Sequence, residues 1–230
     1  MQPRLHWPDR PLEFYDDRQL QDFFLQPFKV DRAFKTDGLA ASGSKTFPVP
    51  NRIRDAEILI RGGRWLITAT EQGEVLYFDL EAPAIRPQTL ITASERTTTD
   101  VLPSIAVDMD DDAPYITFNL AVVPDPFSFD VSDSDLRPIQ VWRVTGVPDD
   151  RGHVVDLTAE KLVSFYDREK SMLSSLSIRG NLLAFSLQFD PIVVIIDWTR
   201  VEQPGAQVRQ MIGVECYKVG KHFLNRLLVF

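Results

Sequence analysis

The chain has a single cysteine, Cys216, among its 230 residues. An intrachain disulfide is therefore excluded, which fits a reducing compartment. Cys216 sits among Val214, Tyr217 and Val219. That setting suits a buried structural thiol better than a reactive one, which needs charged and partly exposed surroundings. Histidine is almost as scarce. His6, His153 and His222 are the only ones, and none stands in a His-x-x-x-His spacing. With no cysteine pair to help, no metal-ligand motif is present. Gly-x-Ser-x-Gly elbows are absent. Arg61-Gly62-Gly63-Arg64 lacks the Gly-Lys-Ser/Thr ending of a phosphate loop and reads as a hairpin turn. The longest apolar run, Ile192–Ile196, falls far short of the roughly 20 residues that span a bilayer. A basic excess is missing too: 25 Lys and Arg stand against 33 Asp and Glu, for a net charge of −8. Broad binding to a phosphate backbone needs the opposite balance. The N-terminus has no apolar run behind a basic start, so a signal peptide is not expected. These absences predict a chain without catalytic residues, cofactor or metal. They predict no nucleic-acid or membrane partner and an intracellular location, cytoplasmic or nuclear.

What is present is β-forming. The apolar fraction of 44% is enough for a sizeable core. The repeating segments are rich in Val, Ile, Thr, Phe and Tyr, and no stretch sustains a 3.6-residue apolar period for three turns. Residues 1–50 differ from the rest. Asp17–Leu25 predicts a short helix with Leu20, Phe23 and Phe24 on one side, and Thr36–Pro50, dense in Gly, Ser and Pro, reads as a linker or extended arm.

After Asn51 one grammar recurs. Ile58–Ile60, Arg64–Thr70, Glu74–Leu80 and Gln88–Thr92 are short strand-like runs, with Glu71-Gln72-Gly73 as a tight hairpin turn. Four such strands describe one propeller blade. Ser104–Met109, Tyr115–Val123, Ile139–Thr145 and Lys161–Tyr166 predict a second blade, stretched by an acidic insert at Pro124–Pro138. The third copy aligns with the first. Ile60-Arg61-Gly62-Gly63-Arg64-Trp65 parallels Ile178-Arg179-Gly180-Asn181-Leu182, and Tyr77-Phe78-Asp79-Leu80 parallels Ile195-Ile196-Asp197-Trp198. Gln207–Gly213 closes that copy, and Phe223–Phe230 echoes Ile178–Phe185 as the start of a fourth. The expected fold is all-β. It is an open, partial β-propeller of about three four-stranded antiparallel blades (51–95, 101–167, 171–214) with the start of a fourth (217–230). An antiparallel β-sandwich with coincidental repeats is the alternative.

The stretch Ile60-Arg61-Gly62-Gly63-Arg64-Trp65-Leu66-Ile67 through Gly73-Glu74-Val75-Leu76-Tyr77-Phe78-Asp79-Leu80 resembles a blade of the WD40-like propellers found behind F-box domains in mushroom-forming fungi. Leu5-His6-Trp7 is similar to the segment that follows the F-box helices in that family. The resemblance implies a propeller that captures a target protein while an F-box recruits a ubiquitin-ligase scaffold. The chain itself carries no F-box helices, and closed propellers use four to eight blades. It is therefore expected to be the target-binding part of a longer protein or a truncated propeller fragment.

Three groups of residues remain as candidates. Asp108, Asp110, Asp111 and Asp112 crowd into one turn. They lack the spaced Asp-x-Asp-x-Asp-Gly pattern and distant Glu of a calcium loop, which favours a solvated turn. Trp65, Tyr77, Phe78, Trp142 and Trp198 recur near strand ends and are expected to pack between blades. The acidic insert alternates Phe127 and Phe129 with small polar residues and carries Asp130, Asp133 and Asp135. It reads either as a flexible acidic loop or as a partner-contact loop, with Ser132 and Ser134 open to phosphorylation. The expected activity is binding of an unidentified protein partner, with self-association through open blade edges as a second mode. A propeller hydrolase is the enzymatic alternative, requiring His153 or His222 to meet carboxylates in one cleft.

Overall fold

The computed structural model describes residues 11–18, 20–22, 24–25, 53–60, 63–93, 101–126, 137–167, 173–187, 190–201 and 209–213. The partial fourth blade, Cys216, His6 and His222 lie outside them, as do residues 26–52 of the arm. In the N-terminal arm, Leu12–Phe14 form a 3-10 turn, and the described residues of Asp17–Leu25 are helical, as the spacing predicts. The Phe14 ring lies against Gly152, where a Cβ would come within 2.7 Å of it.

Twelve strands follow among the described residues. The first sheet takes β1 (Ile53–Leu59), β2 (Trp65–Thr70), β3 (Val75–Asp79) and β4 (Gln88–Ile91). The second takes β5 (Val101–Met109), β6 (Thr117–Pro126), β7 (Arg137–Pro148) and β8 (Val154–Asp167). The third takes β9 (Leu173–Arg179), β10 (Leu182–Leu187), β11 (Ile192–Asp197) and β12 (Arg209–Gly213). Each is a four-stranded antiparallel meander in chain order. The first strands of the meanders are neighbours: β1 packs against β5, and β5 against β9. The molecule is thus all-β, with three blades of an open propeller around those innermost strands.

The same closing bond ends the second strand's hairpin in every sheet. Leu80 N donates to Arg64 O at 2.8 Å, Gly146 N to Ile116 O at 2.8 Å and Trp198 N to Asn181 O at 3.1 Å. Equivalent positions follow from it: Trp65, Thr117 and Leu182 open β2, β6 and β10, and Asp79, Thr145 and Asp197 stand opposite them. The turn before β10 needs a left-handed residue, and Gly180 supplies it with φ 54°. Any Cβ there would be strained.

Two apolar clusters lie between the sheets. The face of the first sheet toward the second presents Trp65, Ile67, Val75 and Tyr77 to Phe118, Leu120, Val122 and Val144. The other face of the second sheet presents Ala121, Val123, Ile139 and Val141 to Leu183, Phe185, Val194 and Ile196 of the third. Both faces of β6 are therefore covered, which is why it reads as a nearly continuous apolar run instead of an alternation. The first sheet is buried on its outer face as well, with Phe78 at 0% and Thr68 at 1% exposure.

Two sequence expectations need correcting. The insert is shorter than Pro124–Pro138, because Pro124–Pro126 continue β6 and Arg137 and Pro138 begin β7. The outer strand of the second blade is not confined to Lys161–Tyr166. It runs from Val154 to Asp167, and its pairing with β7 shifts register twice, between Val147 and Pro148 and between Val141 and Trp142. Each bulge adds a residue and reverses the inward side. Leu157 and Ala159 consequently face the first sheet, whereas Val163 and Phe165 face the third.

Candidate interaction surface

A meander places its first and third turns at one end and its second turn at the other. Links between sheets show that the blades run in step. Asp108 on β5 accepts a bond from Gly180 N of the third sheet at 2.7 Å. Tyr77 on β3 donates through its hydroxyl to Asp156 on β8. Burial and the bond to Asp156 push the Tyr77 hydroxyl well above the ordinary phenol range. The turns after β1, β3, β5, β7, β9 and β11 thus form one rim. β2, β6 and β10 end at the opposite side of the sheets.

The turns after β3, β5, β7 and β11 are each fastened by a carboxylate. Asp79 accepts from Arg64 Nε at 2.9 Å and Nη2 at 2.7 Å, and from Glu81 N at 2.9 Å. Burial alone would raise the Asp79 carboxyl, but the Arg64 bond and the Glu81 and Ala82 amides hold it below the usual carboxylate value. Asp110 is bound by Arg143 and accepts from Asp112 N at 3.2 Å. The Arg143 bond is the main reason its carboxyl is also lowered. Asp149 accepts from Arg151 N at 2.9 Å and His153 N at 2.8 Å. Asp197 accepts from Thr199 Oγ1 at 2.6 Å and Thr199 N at 3.2 Å, and it too is lowered, chiefly by Thr199. A carboxylate accepting backbone amides is a common way to lock a short turn.

Phe127, Phe129, Asp130, Asp133 and Asp135 lie outside the described residues. The four aspartates of the second blade are divided: Asp108 binds Gly180, Asp110 binds Arg143, and Asp111 and Asp112 form the turn. Among the described residues no three His, Cys, Asp or Glu side chains are grouped to hold a metal ion. Trp65, Tyr77 and Phe78 are buried, and Trp142 and Trp198 pack on the margins of the two clusters. His153 lies in the β7–β8 turn with Nδ1 3.5 Å from Asp149 of the same turn. Arg143 and Asp156 carry contacts that the sequence reading missed. Nothing in the repeat marks them, because they stand where the other blades place different residues. Buried Asp167, the last residue of β8, lies 3.5 Å from Arg209 and joins the second sheet to the third.

Among the described residues no helix is long and apolar enough to cross a membrane. No family model, no curated protein and no solved structure matches the chain.

Proposed function

We propose that this chain is a protein-interaction module of the propeller type, and that it acts as the target-binding part of an F-box-like ubiquitin-ligase receptor. The observation that carries the reading is the fastened rim. Three packed sheets hold short turns in fixed relation, and the turns after β3, β5, β7 and β11 are tied by Asp79, Asp110, Asp149 and Asp197. A rigid scaffold presenting ordered loops is the usual architecture of a recognition surface. The resemblance of residues 60–80 to the F-box-associated blade supports the ligase setting. Partner contact is assigned to the loops, including the acidic insert.

Quantitative affinity capture of the full chain tests this. Two variants would be compared with wild type: deletion of residues 127–136, and the rim triple Glu81→Lys, Asp111→Lys, Asp112→Lys. The expected result is a reproducible set of target partners that is lost with one of the two variants. Equal recovery with both would overturn the loop assignment. A partner set no richer than that of an unrelated β-protein would overturn the module reading.

A further inference from the structure

Gly63, Gly152 and Gly180, in the rim turns before β2, β8 and β10, all take a positive φ. They differ in what lies over them. Among the described residues nothing comes within 4 Å of a Cβ built at Gly63 or Gly180. At Gly152 the same Cβ would fall 2.7 Å from Cγ, Cδ1 and Cε1 of Phe14 alike. A point equidistant from several atoms of a regular ring lies on the axis of that ring. The Phe14 ring therefore lies flat over Gly152, its face against the Cα hydrogen that any other residue would replace with carbon. Gly152 is buried, although Arg151 and His153 on either side are exposed.

The two sides of this contact are held very differently. The turn is firm. Asp149 accepts from the amides of Arg151 and His153, Gly152 N donates to Asp149 O at 3.0 Å, and Asp149 N donates to His153 O at 2.7 Å. It joins two strands paired along most of their length. The ring's own segment is lightly held. It is a single 3-10 turn with none of its residues buried. Phe14 keeps 37% of its surface exposed and Leu12 52%. The turn is closed by Phe14 N to Pro11 O and Tyr15 N to Leu12 O, each at 3.1 Å. Both bonds are internal, so leaving Gly152 breaks neither, and the segment carries its shape with it. A contact of one ring face is small, and it persists because the tether keeps the ring at high effective concentration.

We infer that the β7–β8 turn is a docking seat for an aromatic side chain, filled in the free chain by Phe14 and exchangeable for the same kind of segment from another molecule. The arm defines the ligand chemistry: one short, self-bonded turn that presents a Phe ring face. The consequence for capture rests on the reading of the rim as the target surface. A target segment of this kind would compete with the arm, and its apparent affinity would fall by the fraction of chains whose seat is free.

NMR of the isotope-labelled full chain tests the seat without any target, with thermal unfolding as a control for folding. Protons over the face of an aromatic ring are shifted upfield. In wild type, one Gly152 Hα is therefore expected well upfield of the Gly63 and Gly180 protons. Phe14→Ala is expected to return it to the ordinary glycine range with little change in thermal unfolding. A peptide of residues 11–18, added at about millimolar concentration, is expected to restore the upfield shift in the Phe14→Ala chain. The same peptide carrying Phe14→Ala is expected not to. With 4-fluorophenylalanine at position 14, the peptide's fluorine signal measures its affinity directly. It is expected to bind the Phe14→Ala chain several-fold more tightly than wild type, whose own arm competes. A Gly152 Hα at the ordinary position in wild type would overturn the inference. So would a peptide that fails to restore the shift, or one that binds both chains equally well. Failure to capture any partner would instead count against the rim reading and leave these signals in place.

Discussion

The first and second sheets cover their successors with the same backbone and, at the rim end, different chemistry. In the first, Trp65, Ile67 and Tyr77 form an aromatic and aliphatic face. In the second, the equivalent positions at the rim end are Thr117, Asn119 and Arg143, which are polar, while Ala121 and Val141 beyond them on the same face remain apolar. Arg143 donates to Asn119 Oδ1 at 3.1 Å and to Asp110. Asp108 reaches across to Gly180. The shared element is the closing amide bond of the hairpin, which needs only backbone. What fills the gap between blades is free to differ, from an aromatic and aliphatic face to a hydrogen-bonded polar one.

The comparison can be broken by removing one side chain from each face. Trp65→Ala should destabilise the chain most, by about 4 kcal/mol, because it leaves a large cavity under a fully buried ring. Equilibrium urea unfolding measures it. Tyr77→Phe on the same face should cost about 1.5 kcal/mol through loss of the hydroxyl bond to Asp156, read from the same experiment. On the polar face, Arg143→Met should cost least, under about 1 kcal/mol, since the Arg143 and Asp110 side chains are roughly a third exposed and solvent screens the pair. That last difference is also expected to depend on pH. The Asp110 carboxyl is lowered below its ordinary 3.8 in the folded chain. Its stabilising contribution is therefore complete above the unfolded value and is lost as pH falls through the folded one. The gap between wild type and Arg143→Met should accordingly close as the solution is taken below about pH 4, while the Trp65→Ala gap should not follow that titration.

The same contrast explains how much was legible in the sequence. The first and third blades announce themselves because Gly63 and Gly180 both hold positive φ, and Asp79 and Asp197 both end a third strand. Backbone demands of this kind fix residue types. The one-residue difference between the β2–β3 and β10–β11 hairpins is likewise visible in the register. The second blade was harder to read. Its β5–β6 turn has no glycine, and its outer strand changes phase at two bulges, so period-two alternation fails after Ala159. The rim was less legible still. Asp149 and Asp156 act through turn geometry and through a blade far away in sequence, and neither leaves a spacing signature. The insert residues fall where the structure describes nothing, so their assignment to partner contact rests on the pattern of Phe and Asp alone.

The two bulges of β8 bear on how the arc would come apart. Repeat arrays often unfold piecewise, since each unit touches only its neighbours. Here one continuous strand commits its first half to the cluster beside the first sheet and its second half to the cluster beside the third. Detaching either outer blade strips part of the same ribbon. The three blades are thus tied into one cooperative unit, with β8 as the element through which loss of order at one end would be felt at the other.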